Sequence, residues 1–430
     1  MGAVSAIFLI LITILVPPIG VFMVAGCGAD LLINILLTIL GYLPGHIHAF
    51  YIEYIYYDRR EQAREGRFQA QRAPGVYSER VQSGGQGYGT IVQPAGPPGF
   101  LLTFLKSQLF TRLPPPTHDF INQVILITGS NTGLGLEAAR HFVRLNAAKV
   151  ILGVRSIQKG EAAALDIETT TGRKGVVQVW EVDFSSYKSV EVFCGRAAKE
   201  ERLDVVIANA GVAIPRWEQV EGTERTVLVN VLATFLMVLL MVPILRKSGG
   251  KHGGVPPRLV VVSSEAHEQA AFVEQDSPPG QIFTTLASNK PYLQPDRYNT
   301  SKLLEILLVR ALAPHIYSPS STPHPEIILN TLTPGLCKSS LMRHAVFPLN
   351  IFAAIGKVIL ARSTEVGSRT LVAAAAAGNE THGKYMADCR VREPSRWVRS
   401  EKGKVTQQRV WEEVREILEG VREGCTKCLD

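Results

Sequence analysis

VILITGSNTGLGLEAARHF, from Val124 to Phe142, decides the fold. Val124–Thr128 is a short β-branched apolar run, the signature of a buried strand. Gly129-Ser130-Asn131-Thr132-Gly133-Leu134-Gly135 breaks it, and Gly133–Leu145 follows with helical spacing. A glycine turn between a strand and a helix lets the backbone approach a pyrophosphate, whose charge rests on the helix N-terminus. Gly129, Asn131, Gly133, Leu134 and Gly135 are therefore candidate cofactor contacts. The alternation continues outward. Lys149–Val154, Val176–Asp183, Asp204–Ala208, Arg258–Ser264, Glu326–Thr331 and Gly383–Met386 read as further strands, with helical stretches between most of them. Strands alternating with helices predict an α/β fold, a Rossmann-type doubly wound parallel sheet. Leu228 to Leu245 is nearly all apolar and imitates a membrane span. It contains Asn230 and Pro243 and lies between two strands of one sheet, so a buried or interface helix is expected. Such a helix also offers a surface for a homodimer.

The end of the second strand bears on cofactor choice. A carboxylate there would bond a ribose 2′-hydroxyl and favour NAD. The chain reads Gly153-Val154-Arg155-Ser156 instead. Arg155, assisted by Lys159, suits a 2′-phosphate, which favours NADP; the alternative is a pair of solvated surface cations. Asp183, after the third strand, would meet the adenine or simply cap the following helix.

The chemistry sits downstream. Tyr298 and Lys302 are four apart at the start of a helical run and share one helix face. A free tyrosine has a pKa near 10, and a neighbouring ammonium is expected to lower it towards a useful acid/base range. Ser264 ends a strand, where its hydroxyl would meet the same substrate oxygen; the alternative is a turn residue.

Taken in order, TGxxxGxG, the ANAG of Ala208–Gly211, Asn230, the serine pair ending at Ser264, YxxxK and Pro334-Gly335 form one constellation. It resembles the short-chain dehydrogenase/reductase family from Asn122 to about Leu418, closest to fungal retinol-dehydrogenase-like members. THGKYMADCRVREPSRWVRS, Thr381 to Ser400, resembles their C-terminal tail. The resemblance implies hydride transfer between a nicotinamide and an alcohol or carbonyl. Tyr298 would be general acid/base, Lys302 would tune it and hold the ribose, and Ser264 would polarise the substrate oxygen. Asn230 would hold a water. Asn209, Ala210 and Gly211 would line the cofactor, and Pro334, Gly335 and Ser339 would flank the nicotinamide. Three departures stand out: Ala208 replaces an asparagine, Ser339 replaces a threonine, and Ser264 and Tyr298 are separated by 34 positions. The intervening Glu265–Arg297 stretch is expected to form a long substrate-side loop.

The front of the chain is different. No Asp, Glu, Lys or Arg occurs before Asp30, and Val4–Ala25 and Leu31–Ile52 are both apolar. Each is long enough to cross a ~30 Å hydrocarbon core, so a two-helix transmembrane hairpin is expected. A signal peptide would carry a positive leading segment, which is absent. A myristoylation motif at Gly2 fails at Ala6. Arg59, Arg60, Arg64, Arg67 and Arg72 follow the second run and place both ends in the cytosol. His46 and His48 read either as an intramembrane pair or as interfacial residues. VPPIGVFMVAGCGADLLINILLTILGYLPGHIHAFYIEYIYY, Val16 to Tyr57, resembles the small stress-associated proteolipids of the Pmp3 family. RAPGVYSERVQSGGQGYGTI, Arg72 to Ile91, resembles the extension of its fungal members. This implies a plasma-membrane hairpin linked to membrane potential and salt tolerance.

The expected organisation is a hairpin at 1–57, a cytosolic tail and linker at 58–121, a Rossmann domain at 122–420 and a tail at 421–430. Gln82–Gly99 is the flexible part of the linker, and Phe100–Phe110 an amphipathic helix. The 45 Lys and Arg against 38 Asp and Glu give a net charge of +7, without the basic, aromatic-interleaved block of a nucleic-acid surface. Six scattered cysteines make no disulfide framework, and the lone Cys425/Cys428 pair lacks partners for a metal. The expected function is a membrane-tethered NADP-dependent oxidoreductase acting on an apolar small molecule, of the kind secondary metabolism handles. Two alternatives stand beside it: an ion-homeostasis proteolipid carrying a passenger reductase, and two merged gene products.

Overall fold

A computed structural model describes residues 3–64, 73–85, 100–214, 216–251, 255–289, 294–316, 326–338 and 361–429. The chain forms two compact units, Met1–Ala95 and Gly96–Asp430. Most of the linker, 86–99, lies outside the described residues.

In the first unit both apolar runs are helical, but each is divided. Ala3–Leu15 and Pro17–Ala25 are separate helices, as are Ala29–Leu40 and Tyr42–Arg64. Pro17 and Pro18 open the second helix, where a missing N–H costs nothing, and Val16 before them is extended. The segments fold back on each other: Gly20 lies against Thr13, and Gly45 against Thr38, so closely that a Cβ at either glycine would collide. Helices of 13 and 12 residues, Ala3–Leu15 and Ala29–Leu40, are only about 20 Å long, short of a hydrocarbon core. His46 and His48 do not pair with each other. His46 binds the carbonyls of Ile14 and Tyr42, while His48 meets Asn34. The tail returns to the connector, where the buried Asp30 carboxylate accepts from the Tyr77 and Ser78 N–H groups.

The second unit is built on an eight-stranded sheet. Its strands are β1 Val124–Thr128, β2 Lys149–Val154, β3 Val177–Glu181, β4 Val205–Ala208, β7 Arg258–Val262, β8 Ile328–Thr333, β9 Tyr385–Ala387 and β10 Arg390–Arg392. A separate hairpin pairs β5 Gln219–Val220 with β6 Thr223–Glu224. The sheet order is β10-β9-β8-β7-β4-β1-β2-β3, with every neighbouring pair parallel except β9–β10. β5, β6 and β10 were not anticipated from the sequence, being too short to show a period.

β1, β4, β7 and β8 are buried at every residue because helices cover both faces. Along β1, Leu126 joins one core, with Phe193, Leu236 and Leu308. Ile125 and Ile127 join the other, with Ala138, Ile167 and Leu371.

Among the described residues, Arg225–Gly249 is the helix long and apolar enough to cross a membrane, and 83% of its apolar window is buried. It is the core helix expected from Asn230 and its place between strands. Within this chain Tyr187–Ala197 packs beside it, and Cys428 near the C-terminus reaches the Leu239 carbonyl at 3.5 Å.

Glu265–Arg297, expected as a long substrate-side loop, carries short elements of its own. Its described part forms 3₁₀ turns at Glu265–Gln269 and Val273–Asp276 and a helix at Ile282–Ala287. Phe272, Ile282, Phe283 and Leu286 are buried in the core. The C-terminal helix Glu401–Val421 holds the segment, with Arg409 bonded to the carbonyls of Gln275 and Ser277 and Glu413 to the Phe283 N–H. Prolines in the sequence suggested a loop, but apolar residues between them supply a core.

Candidate active site

The functional residues collect at the carboxyl ends of the central strands, where open α/β sheets take ligands. β1 ends in the glycine turn. Gly129 has φ +65° and backs onto Ala210, and a Cβ on it would sit 2.9 Å from the Ala210 Cα. Gly135 lies as tightly against Asn209. Gly133, at φ +63°, faces open space. The helix Gly133–Arg144 begins there without a side-chain cap from Thr132, leaving its first N–H groups for an anion. The turn, its bare helix end and the open face at Gly133 fit a dinucleotide pyrophosphate.

The loop after β4 is sewn to this turn. Thr128 Oγ1 accepts from the N–H groups of Asn209 and Ala210, both at 3.1 Å, and Asn209 Nδ2 donates to the Thr128 carbonyl at 2.9 Å. β2 and β3 lie on the other side. Thr128 pairs with Gly153, so Arg155 emerges two residues further along, beside the turn. Arg155 and Lys159 are exposed, and their side chains make no hydrogen bond or ion pair among the described residues. Asp183 does not cap the next helix, since Ser186 does. Its carboxylate accepts from the Ser185 N–H at 2.8 Å.

Tyr298 and Lys302 stand on the helix Gln294–Leu312, as the four-residue spacing requires. Lys302 Nζ is 5.9 Å from the centre of the Tyr298 ring. It donates to the Val262 carbonyl at 3.0 Å and to Glu305 Oε1 at 2.8 Å. Ser264 Oγ accepts from the Ala266 N–H at 3.1 Å, which turns the chain away from β7. The lowered tyrosine pKa expected from the pair is reversed. Burial raises the phenol, outweighing the pull of Lys302 and of the Ser264 hydroxyl, and Glu305 adds to the rise. Asn230 lies in a π-helical turn, Leu228–Leu232, and its side chain is committed to other partners. Oδ1 accepts from the Val212 N–H, and Nδ2 donates to the Val212 carbonyl and to Ser301 Oγ. It ties the loop after β4 to the helix of Tyr298. Gly211 lies between: a Cβ there would be 3.4 Å from Asn230 Oδ1 and 3.6 Å from Lys302 Nζ.

Pro334 and Gly335 follow β8, with Gly335 at φ +74°. Thr333 Oγ1 accepts from the N–H groups of Gly335 and Glu265, each at 3.1 Å, joining the loops after β7 and β8. The helix Phe100–Phe110 closes this side: Ser107 bonds to Asp388, and Arg362 bonds to both. Ser339 lies outside the described residues. Sequence reasoning missed Thr128, Glu305 and the turn's His267. Glu305 left a signal, a carboxylate inside the apolar run LLEILLV at helical spacing from Lys302 and Tyr298.

Fold and site together define a dinucleotide-binding α/β protein with a tyrosine–lysine centre. The family model for short chain dehydrogenases matches residues 123–347. The short chain dehydrogenase atnD of Emericella nidulans is 47% identical over 292 residues, 67% of this chain and 91% of that protein. The short chain dehydrogenase/reductase dmxR8 of Cryptosporiopsis is 43% identical over 75% of this chain and 98% of its own length. The chain belongs to the short-chain dehydrogenase/reductase family. A crystal structure of an uncharacterised protein from Mycobacterium paratuberculosis shares the fold, at 22% identity and TM-score 0.52, over 70% of this chain and 96% of that one. The model for Pmp3, proteolipid membrane potential modulator, matches residues 6–54. The match to nearly all of dmxR8 uses three-quarters of this chain, which leaves that relative no room for a counterpart of the first unit.

Proposed function

We propose that this protein is an NADP-dependent carbonyl reductase or alcohol dehydrogenase, held at a membrane and acting on an apolar small molecule of the kind secondary metabolism produces. The carrying observation is the convergence of Tyr298, Lys302 and Ser264 beside the glycine turn. A bound nicotinamide supplies or accepts the hydride. The chain's own residues manage the oxygen. Ser264 orients it by hydrogen bonding, and Tyr298 gives it a proton in reduction or takes one in oxidation. The burial of Tyr298 keeps its phenol protonated near neutral pH, which suits reduction. Lys302 holds the ribose hydroxyls and steadies the phenolate left behind. Asn230, as the structure has it, acts by fixing Ser301 and Val212. Asp183 faces the adenine side, Asn209 to Gly211 and Pro334-Gly335 line the cofactor, and Ser339 flanks the nicotinamide.

Arg155 supports NADP over NAD, being an exposed guanidinium at the ribose end of β2 with no counter-ion among the described residues. The test is direct. Purified protein should quench its tryptophan fluorescence with NADPH and oxidise NADPH with an apolar ketone panel. Tyr298→Phe should keep binding and lose ~10²-fold or more in turnover. Full turnover in that variant rejects the role.

Membrane attachment rests on the first unit. Leu11, Leu15, Leu32, Ile39, Leu40 and Leu43 are all more than half exposed there, a broad apolar surface that lipid would cover. The Pmp3 match favours a second reading, in which residues 1–96 act in ion homeostasis and the reductase is a passenger. Expressing 1–96 alone and scoring salt tolerance separates the two. A single immunoblot band at 47 kDa shows that both units reach the cell as one chain, and two smaller bands show merged reading frames.

A further inference from the structure

Glu305 is a buried carboxylate on the helix of Tyr298 and Lys302 that no family motif includes. It sits three residues beyond Lys302, and the two side chains are 2% and 6% exposed. Oε1 accepts from Lys302 Nζ at 2.8 Å, while Oε2 is buried without a hydrogen-bond partner. Lys302 thus spends two of its three N–H donors on Glu305 and the Val262 carbonyl. The remaining donor is free for the tyrosine or a ribose hydroxyl. Burial pushes the Glu305 carboxyl up to about 7, against the pull of Lys302, and Ser263 lies alongside with its hydroxyl donating to the Lys302 carbonyl at 2.8 Å.

Of the ionisable groups on the elements packed against this helix, Glu265 and Glu268 lie on the turn after β7, where burial raises both carboxyls, and the others are held by partners of their own. His267 bonds to Ser264 and Ser395, Arg225 to Glu218, Arg409 to Gln275 and Ser277, and Glu413 to Phe283. Lys302 supplies the opposite charge beside Glu305, and both bear on Tyr298. Three ionisable side chains on one helix face, Tyr298, Lys302 and Glu305, therefore form a closed set. A buried ammonium needs a counter-charge, and the counter-charge also acts on whatever the ammonium serves.

We propose that Glu305 is a positioning residue for the catalytic centre: the counter-ion that fixes the Lys302 ammonium and, by offsetting its charge, holds the Tyr298 hydroxyl in its proton-donating form. In carbonyl reduction the Tyr298 proton passes to the substrate oxygen while hydride arrives from the nicotinamide. The phenolate that remains is then stabilised by Lys302. An ionised Glu305 works against that phenolate and so favours its reprotonation for the next cycle. This deepens the reductase reading and rests on it.

The experiment reads Tyr298 itself, so it does not need the natural substrate. Tyrosinate absorbance of full-length protein with NADP⁺ is titrated against pH, and the Tyr298→Phe curve is subtracted to isolate one step. The same difference is taken in a Glu305→Gln background, where an amide of equal shape removes the charge. The Tyr298 step is expected at lower pH, its ionisation constant raised about tenfold. A step that stays in place, or moves up, overturns the proposal. If Glu305→Gln does not fold, Glu305→Asp carries the test. Its shorter arm draws the charge back from Lys302, and the step should move down by a smaller amount; an unmoved step overturns the proposal equally. Failure of the reductase reading shows separately, as wild-type protein that neither binds nor oxidises NADPH.

Discussion

Lys302 and Glu305 illustrate how costly a buried charge is to strand. Both are almost inaccessible, and each is the other's partner. Lys302→Ala would leave Glu305 buried without its counter-charge; its carboxyl, already lifted to about 7, would go neutral and leave an unsatisfied buried polar group, a loss of about 1–3 kcal/mol. Urea unfolding at pH 7 should show it, with Lys302→Ala and Glu305→Gln together less destabilised than Lys302→Ala alone. Arg155 is the opposite case. It is exposed, and its side chain makes no hydrogen bond or ion pair among the described residues, so replacing it should leave stability within about 0.5 kcal/mol of wild type. Arg155→Asp should instead raise KM for NADPH by ~10-fold or more and narrow the gap to NADH. An unchanged cofactor ratio would return Arg155 to the solvated surface. The spacing of Tyr298 and Lys302 made the pair visible in the sequence. The direction of the tyrosine's pKa was not visible, because burial depends on every element that packs over the ring.

At the scale of elements, the turn after β7 carries the site. His267 is 2% exposed; Nδ1 meets the Ser264 carbonyl at 2.8 Å and Nε2 accepts from the Ser395 N–H at 3.2 Å. One imidazole thus joins the Ser264 turn to the C-terminal tail, and only the neutral ring can do both. Burial pushes its pKa down to about 4 from 6.5, against the Ser264 hydrogen bond. The unfolded chain therefore binds a proton below about pH 6.5 that the folded protein refuses until about pH 4. Stability should fall as pH drops through that window, by about 3 kcal/mol if the shift is fully expressed. His267→Asn should be less stable at pH 7 and show a flatter acid limb in thermal melts. Equal acid limbs would show that another group dominates. Sequence spacing placed most strands of the sheet within a few residues. The Glu265–Arg297 segment was misjudged because its prolines suggested a loop, while its anchors, Glu401–Val421 and His267, lie far away or look ordinary.

The whole molecule consists of two units with separate cores. The second contains the entire sheet and every described candidate site residue, and the short chain dehydrogenase model matches within it. Residues 96–430 expressed alone should bind NADPH with the affinity of the full chain. The full chain should partition into vesicles and the fragment should not. Loss of NADPH binding in the fragment would show that the first unit supports the site. Vesicle binding by the fragment would move the membrane contact to the second unit.

The sequence alone determined the doubly wound class, the glycine turn and the tyrosine–lysine pair. These depend on local period and short spacing, which a chain carries wherever it folds. It also distinguished Leu228–Leu245 from a membrane span, through Asn230, Pro243 and its place between two strands of one sheet. The tertiary structure decided the rest. It bent the two front runs into four helices, committed the Asn230 side chain to bridging Val212 and Ser301, and turned the Tyr298 shift upward. It also brought Glu305 and His267 to the site. Each outcome depends on desolvation and on partners brought together from distant positions, and neither is written in the local spacing of residues.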